Sequence, residues 1–133
     1  MAFKIVNGLR TIEFGTPGES RRILSDLVIN GNKRATAATA QEYIDEGEPV
    51  ESVGEELILL GNNDAILGKI RVTETTECKF IEVPDRFALA EAEGDLNAEE
   101  FRKSHIEYWS RVGVSISDDT PIVLVYFDLV EKY

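Results

Sequence analysis

Two short segments of the sequence carry side chains that are able to act on a substrate. The first, Lys33-Arg34-Ala35-Thr36, follows a helical pattern that ends at Gly31. A threonine hydroxyl is a poor nucleophile until a neighbouring base takes its proton, and a neutral lysine amine is such a base. Lys33 and Thr36 are therefore a candidate catalytic pair. The alternative is that Lys33 and Arg34 are surface cations that compensate the negative end of the helix dipole.

The second segment is acidic and ends another helical pattern, at Glu91-Ala92-Glu93-Gly94-Asp95. The C-terminal end of a helix disfavours negative charge, and neighbouring carboxylates repel each other. The pattern predicts that at least one of these carboxyl groups has a raised pKa. The alternative is an exposed acidic helix end on an acidic protein.

The single histidine, His105, lies on a helical face that also carries Phe101 and Trp109. This favours a packed, hydrogen-bonded histidine at the edge of the core; the alternative is a pocket residue that orients a carboxylate or a ligand. No second ligand stands at metal spacing and Cys78 is the only cysteine, so we expect no metal and no cofactor. Tyr43 is a candidate for stacking on a base, although aromatic residues at helical spacing more often belong to the core.

The composition limits the classes of partner. A chain of 133 residues fits one domain spanning 1–133. Its formal net charge of −11 makes extended duplexes and anionic membranes poor partners, because binding to both depends on clustered Lys and Arg. The longest apolar run, at residues 122–127, is far too short to span a membrane, and the N-terminus carries no signal-peptide pattern. We therefore expect a cytoplasmic protein.

Hydrophobic periodicity predicts the elements that must position these residues. Helices are predicted at 16–30, 39–46, 84–93 and 97–112. Strands are predicted at 55–60 and 66–76, joined as a hairpin, at 80–83 as a continuation of the sheet, and at 121–131 as a largely buried strand. This order is typical of an α+β fold with a small mixed or antiparallel sheet that could close into a barrel.

Taken in order, these segments resemble the ASCH superfamily, a branch of the PUA-like folds. The resemblance runs from about Glu13 to the final strand, and no single piece of it is specific. The matching segments include residues 13–18, 27–37, 48–50, 80–83, 90–95 and 101–105. The chain is most similar to an uncharacterised bacterial branch that is distantly similar to the acetylcytidine amidohydrolases.

The resemblance implies a small PUA-like β-barrel flanked by helices, and an association with RNA. In the acetylcytidine amidohydrolases, the positions that match Lys33, Thr36 and Glu93 are assigned to catalysis. The implied reaction removes the acetyl group from a modified cytidine: Lys33 activates Thr36 or a water, and Glu93 passes the proton to the leaving amine. The candidate ligand-binding residues are Arg34, Glu91, His105 and Tyr43.

One position departs from the amidohydrolase pattern: Ala38 stands where that branch has an arginine. The expected partner is accordingly a modified nucleoside or a short single-stranded RNA, with hydrolysis of the nucleoside's amide as the enzymatic hypothesis. The alternative is a non-catalytic RNA-binding or ligand-sensing module. Its basic patch would comprise Lys4, Arg21, Arg22, Lys33 and Arg34.

Overall fold

The computed structural model describes residues 4–133. Its strands are β1 (Ile5–Val6), β2 (Leu9–Ile12), β3 (Ala35–Thr39), β4 (Glu56–Leu60), β5 (Ile66–Lys79) and β6 (Pro121–Lys132). Its helices are α1 (Glu19–Ile29), α2 (Ala40–Glu46), α3 (Asp85–Glu91) and α4 (Ala98–Arg111), with short 3-10 turns at Asn62–Asp64 and Phe80–Glu82. None of these helices has the length and apolar character that crossing a membrane requires. The predicted α+β class is confirmed.

The six strands form one sheet in the order β1-β2-β4-β5-β6-β3. β2 and β4 run parallel, and the other neighbouring pairs are antiparallel. The longest ladder joins β5 to β6, and its register shifts between Lys69 and Ile70 and between Val72 and Glu74. Irregularities of this kind bend a strand locally and increase its twist.

The expected closed barrel is wrong, because the sheet remains open between its two ends. β1 has two residues and pairs only with β2 among the described strands, so it is too short to supply the hydrogen-bond ladder that closure requires. The other edge strand, β3, pairs with β6 on one side. Instead of pairing, residues 12–14 and 36–38 line one cavity between the two ends of the sheet.

The core lies on both faces of β6, whose side chains alternate between two apolar clusters. Ile122, Leu124 and Tyr126 pack on the face covered by α3 and α4, together with Phe87 and Phe101. The intervening residues of β6 join a second cluster that includes Val28 of α1 and residues of β4 and β5. A strand buried on both faces explains why residues 122–127 form an unbroken apolar run.

Sequence and structure differ mainly where elements are short or irregular. β3, the strand that carries Thr36, has the sequence Ala-Thr-Ala-Ala-Thr, which shows neither apolar alternation nor strong strand propensity, and it was not predicted. The pattern predicts a strand at 80–83, but a 3-10 turn forms at Phe80–Glu82. The backbone N–H groups of Phe80 and Ile81 donate to the carbonyls of Thr120 and Asp118 in the loop before β6, and the Phe80 ring packs in the core. In contrast, Asn97 caps α4 as predicted, accepting the backbone N–H of Glu100 at 2.9 Å.

Candidate functional site

The Lys33 ammonium is buried at the centre of the candidate site. Lys33 follows α1, and its backbone N–H donates to the Leu27 carbonyl. Its side chain is 1% exposed. Nζ donates to the Ala35 carbonyl at 3.0 Å, to the Glu91 carbonyl at 3.2 Å and to Glu93 Oε2 at 2.6 Å. Since an ammonium has three donors, these acceptors satisfy all of them.

The end of α3 turns so that Glu93 reaches Lys33. Ala92 closes the helix in the left-handed conformation, at φ 57°. This conformation costs a non-glycine residue about 1 kcal/mol. The backbone N–H of Arg34 also donates to the Ala90 carbonyl at 2.7 Å. This hydrogen bond holds the residue that precedes β3 against α3. The two candidate segments of the sequence therefore meet directly in the fold.

A second buried contact joins α3 to α4. Glu91 is 2% exposed, and its Oε1 lies 3.3 Å from His105 Nε2. Oε1 has no well-aligned hydrogen bond, so the contact is electrostatic. The other ring nitrogen, His105 Nδ1, lies 3.0 Å from the Phe101 carbonyl, and the imidazole stacks on the Phe101 ring at 4.0 Å between centroids. His105 is thus both a packed residue and a site residue.

The Glu91–His105 contact shifts the pKa of both groups upward. Burial raises the pKa of the Glu91 carboxyl, and the charge on Glu93 raises it further, against the opposing influence of His105 and Lys33. Burial by itself lowers the pKa of His105, but the interactions with Glu91 and Glu93 outweigh burial and raise it. A raised pKa among the acidic residues at the end of α3 is what the sequence predicts.

We expect this pair to make folding less favourable as the pH rises. Both groups bind a proton more tightly in the folded chain, so their stabilising contribution is fully present below their ordinary pKa values. It is lost as the pH rises through their folded-state pKa values. Urea unfolding between pH 5.5 and 8.5, in metal-free buffer, measures the slope. His105→Gln should flatten the slope relative to wild type; an unchanged slope would contradict the assignment.

Two adjoining cavities open beside these residues. The larger has a volume of about 740 Å³, and the smaller, at the gap in the sheet, about 210 Å³. They share Glu13, Phe14, Thr36 and Ala37 in their walls. Glu91, Glu93, Asp95, Ser104, His105, Tyr108, Trp109 and Arg111 also line the larger cavity. It is large enough for a molecule of nucleoside size.

The structure brings most of the sequence-predicted residues together. Thr36, Glu91, Glu93 and His105 line the larger cavity, with Lys33 bonded to Glu93. Tyr43 lines the smaller cavity, where its hydroxyl donates to Glu51 Oε1 at 2.6 Å.

Two of the predicted relationships differ in the structure. Within residues 4–133, Lys33 Nζ bonds to two carbonyls and Glu93, and no hydrogen bond joins it to the Thr36 hydroxyl. Arg34 lies outside the walls of both cavities, and its exposed guanidinium pairs with Asp128. Arg34 therefore braces the first residues of β3 against β6.

Sequence reasoning missed several residues of the cavity wall. Glu13 and Phe14 follow a strand that was not predicted, and the Phe14 ring lies 5.3 Å from Lys33 Nζ. The sequence places Asp95 in the acidic segment 91–95 with Glu91 and Glu93, but it did not indicate a separate role for this residue. Its position beside His105 depends on how the loop 92–97 returns to α4, which periodicity does not report.

The cations proposed as a basic patch are each paired with a carboxylate. Lys4 pairs with Asp64, Arg21 with Glu13, Arg22 with Glu19 and Asp26, Lys33 with Glu93, and Arg34 with Asp128. Such pairing lowers the positive potential that attracts a phosphate backbone. The charged residues in the cavity walls are themselves mostly carboxylates, so the charges favour a ligand without several phosphates.

Comparison with known proteins gives one family. A family model described as the ASCH domain matches residues 10–131. The crystal structure of an ASCH domain from Lactobacillus crispatus JV V101 is similar at 25% identity, with a TM-score of 0.79 over 91% of this chain and 79% of that one. Protein EF3133 from Enterococcus faecalis V583 is similar at 26% identity, with a TM-score of 0.78 over 91% of this chain and 76% of that one. None of the curated proteins matches.

Proposed function

The chain belongs to the ASCH domain family, whose general role is RNA-related, and from this premise we propose that it hydrolyses the amide of a modified nucleoside such as acetylcytidine. The observation that carries the proposal is the 2.6 Å contact between Lys33 Nζ and Glu93 Oε2 at the wall of the larger cavity. A carboxylate held in one orientation by a buried cation is suited to transfer a proton to and from a bound ligand.

Lys33 acts in this proposal by positioning Glu93. Its three donors already have acceptors, and its side chain is enclosed, so it does not need to contact the substrate. Glu93 is 29% exposed and faces the cavity that Thr36 also lines. Glu93 is therefore the proposed general base and acid, and Thr36 the proposed hydrogen-bonding residue for the substrate.

The reaction follows from these positions. Glu93 takes a proton from a water molecule as the water oxygen bonds to the amide carbon. The carbon–nitrogen bond then breaks, and the proton passes from Glu93 to the leaving exocyclic amine. The products are the carboxylic acid and the unmodified nucleoside.

Ala38 bears on which acyl group is accepted. It lines the smaller cavity, at the position where the amidohydrolase branch has an arginine. The cavity that Ala38 lines has a volume of about 210 Å³ and shares part of its wall with the larger cavity. We propose that acyl groups longer than acetyl are accepted here.

A panel of N4-acylated cytidines tests the activity. We expect the purified chain to release cytidine, measured by liquid chromatography, and Glu93→Gln to lower kcat at least about 100-fold. Glu107→Gln is the matched control, because Glu107 is an exposed carboxylate on α4 outside both cavities. No release from any panel member would refute hydrolysis. Tight binding of the same nucleosides without release would identify a ligand-sensing module instead.

A further inference from the structure

Three potential metal ligands from different parts of the chain come together in the wall of the larger cavity. They are Glu91 at the end of α3, Asp95 in the following loop and His105 on α4. One donor atom of each lies within 4.8 Å of the donor atoms of the other two. Spacing along the chain did not predict this group, because the fold and not the sequence supplies partners for His105.

The first independent observation is an unsatisfied oxygen. Glu91 is 2% exposed, and its Oε1 is enclosed without a hydrogen bond among the described residues. A buried carboxylate oxygen that lacks a donor is unfavourable, and native proteins normally provide a partner for it. A cation at this point would provide that partner.

The second observation is the direction of the His105 ring. Nδ1 faces the Phe101 carbonyl at 3.0 Å, and a carbonyl accepts only from an N–H. In the neutral imidazole this places the lone pair on Nε2, which faces Glu91 Oε1 at 3.3 Å. Two acceptors that face each other are unfavourable unless a proton or a metal ion lies between them. A histidine whose second nitrogen donates to a backbone carbonyl is also the usual arrangement of a metal ligand.

The distance between these two atoms fits a bound metal. Zinc bonds of about 2.0–2.1 Å in tetrahedral geometry separate neighbouring ligand atoms by roughly 3.4 Å. The Nε2 to Oε1 distance is 3.3 Å. Asp95 is partly exposed and able to adjust, and its Oδ2 is oriented by the Ser104 hydroxyl at 2.9 Å.

We propose that Glu91, Asp95 and His105 bind one divalent transition-metal ion, of the zinc or manganese type. Mixed imidazole and carboxylate ligands favour these ions over calcium or magnesium, which prefer oxygen ligands alone. Two carboxylates and a neutral imidazole also balance a charge of +2. Three protein ligands leave a coordination position open toward the cavity, where a water or a ligand oxygen can bind.

Calorimetric titration of the metal-stripped chain with ZnCl2 and with MnCl2 tests the site. We expect one ion per chain, at least tenfold weaker binding in His105→Gln and in Asp95→Asn, and unchanged binding in Glu107→Gln. MgCl2 should bind at least tenfold more weakly than ZnCl2. Titration with CoCl2, followed by visible absorption, should give a spectrum of low-coordinate cobalt that His105→Gln removes.

Several outcomes would overturn the site. One is the absence of binding at one ion per chain. Another is binding that His105→Gln and Asp95→Asn leave unchanged, which would place the ions on the acidic surface. If His105→Gln does not fold, Asp95→Asn still tests the site. This variant should remain folded, because Asp95 is in a loop and only partly buried. The readout is binding rather than turnover, so the result is independent of the proposed hydrolysis.

Discussion

Lys33→Met is expected to lower the free energy of unfolding by about 3 kcal/mol, because it leaves Glu93 and two carbonyls without their shared donor. Removing one partner of a buried ion pair commonly costs about 3–5 kcal/mol, and the partial exposure of Glu93 places this case at the lower end. Methionine retains most of the apolar volume of lysine, so the loss reports mainly on charge and hydrogen bonding. Urea unfolding at neutral pH measures it.

The control for this substitution is Lys103→Met, which removes an exposed lysine paired with Glu99 on the same helix. Its effect should stay within about 0.5 kcal/mol. The double variant Lys33→Met, Glu93→Gln should recover part of the loss, because the unpaired carboxylate is removed as well. If Lys33→Met alone lies within about 1 kcal/mol of wild type, the buried contacts of Lys33 do not stabilise the fold as described.

Phe101→Ala is expected to lower the free energy of unfolding by about 4 kcal/mol. The ring is fully buried and packs edge-on against Phe87 at 5.3 Å, in a cluster that joins α3 and α4 to β6. Its loss removes apolar burial and leaves a cavity under the His105 ring. The midpoint of urea unfolding should fall accordingly.

Ile106→Ala on the same helix is the matched control, because that side chain is 47% exposed, and its effect should be less than about 1 kcal/mol. If Phe101→Ala does not fold, Phe101→Leu keeps the core apolar and should cost about 1.5 kcal/mol. A loss below about 1 kcal/mol in Phe101→Ala would show that α4 does not depend on this ring.

Periodicity predicted the long elements of the fold but not the edges of the sheet. α4 was predicted because Asn97 caps it and its apolar residues recur at helical spacing. β3 was not, because its alanines and threonines are held by pairing with β6 rather than by their own propensity. Closure of the barrel was predicted wrongly because it depends on how far β1 extends.

The sequence allowed the two segments of the candidate site to be predicted, but not the contacts between their residues. Family resemblance pointed to Lys33 and Glu93, which are 60 residues apart in the sequence. The proposed positioning role of Lys33 rests on its hydrogen bonds to the carbonyls of Ala35 and Glu91, which no side-chain pattern reveals. The grouping of His105 with Glu91 likewise depends on how α3 packs against α4, a long-range property of the fold.

Trp109 lies where its fluorescence can report on changes in the site. It is the only tryptophan of the chain, and its ring lies 5.3 Å from the His105 ring while lining the larger cavity. Indole emission responds to the polarity and to the charges around the ring. Tryptophan emission from this protein therefore comes from one indole at the cavity wall. Binding of a ligand in the cavity can accordingly be followed in the unlabelled chain.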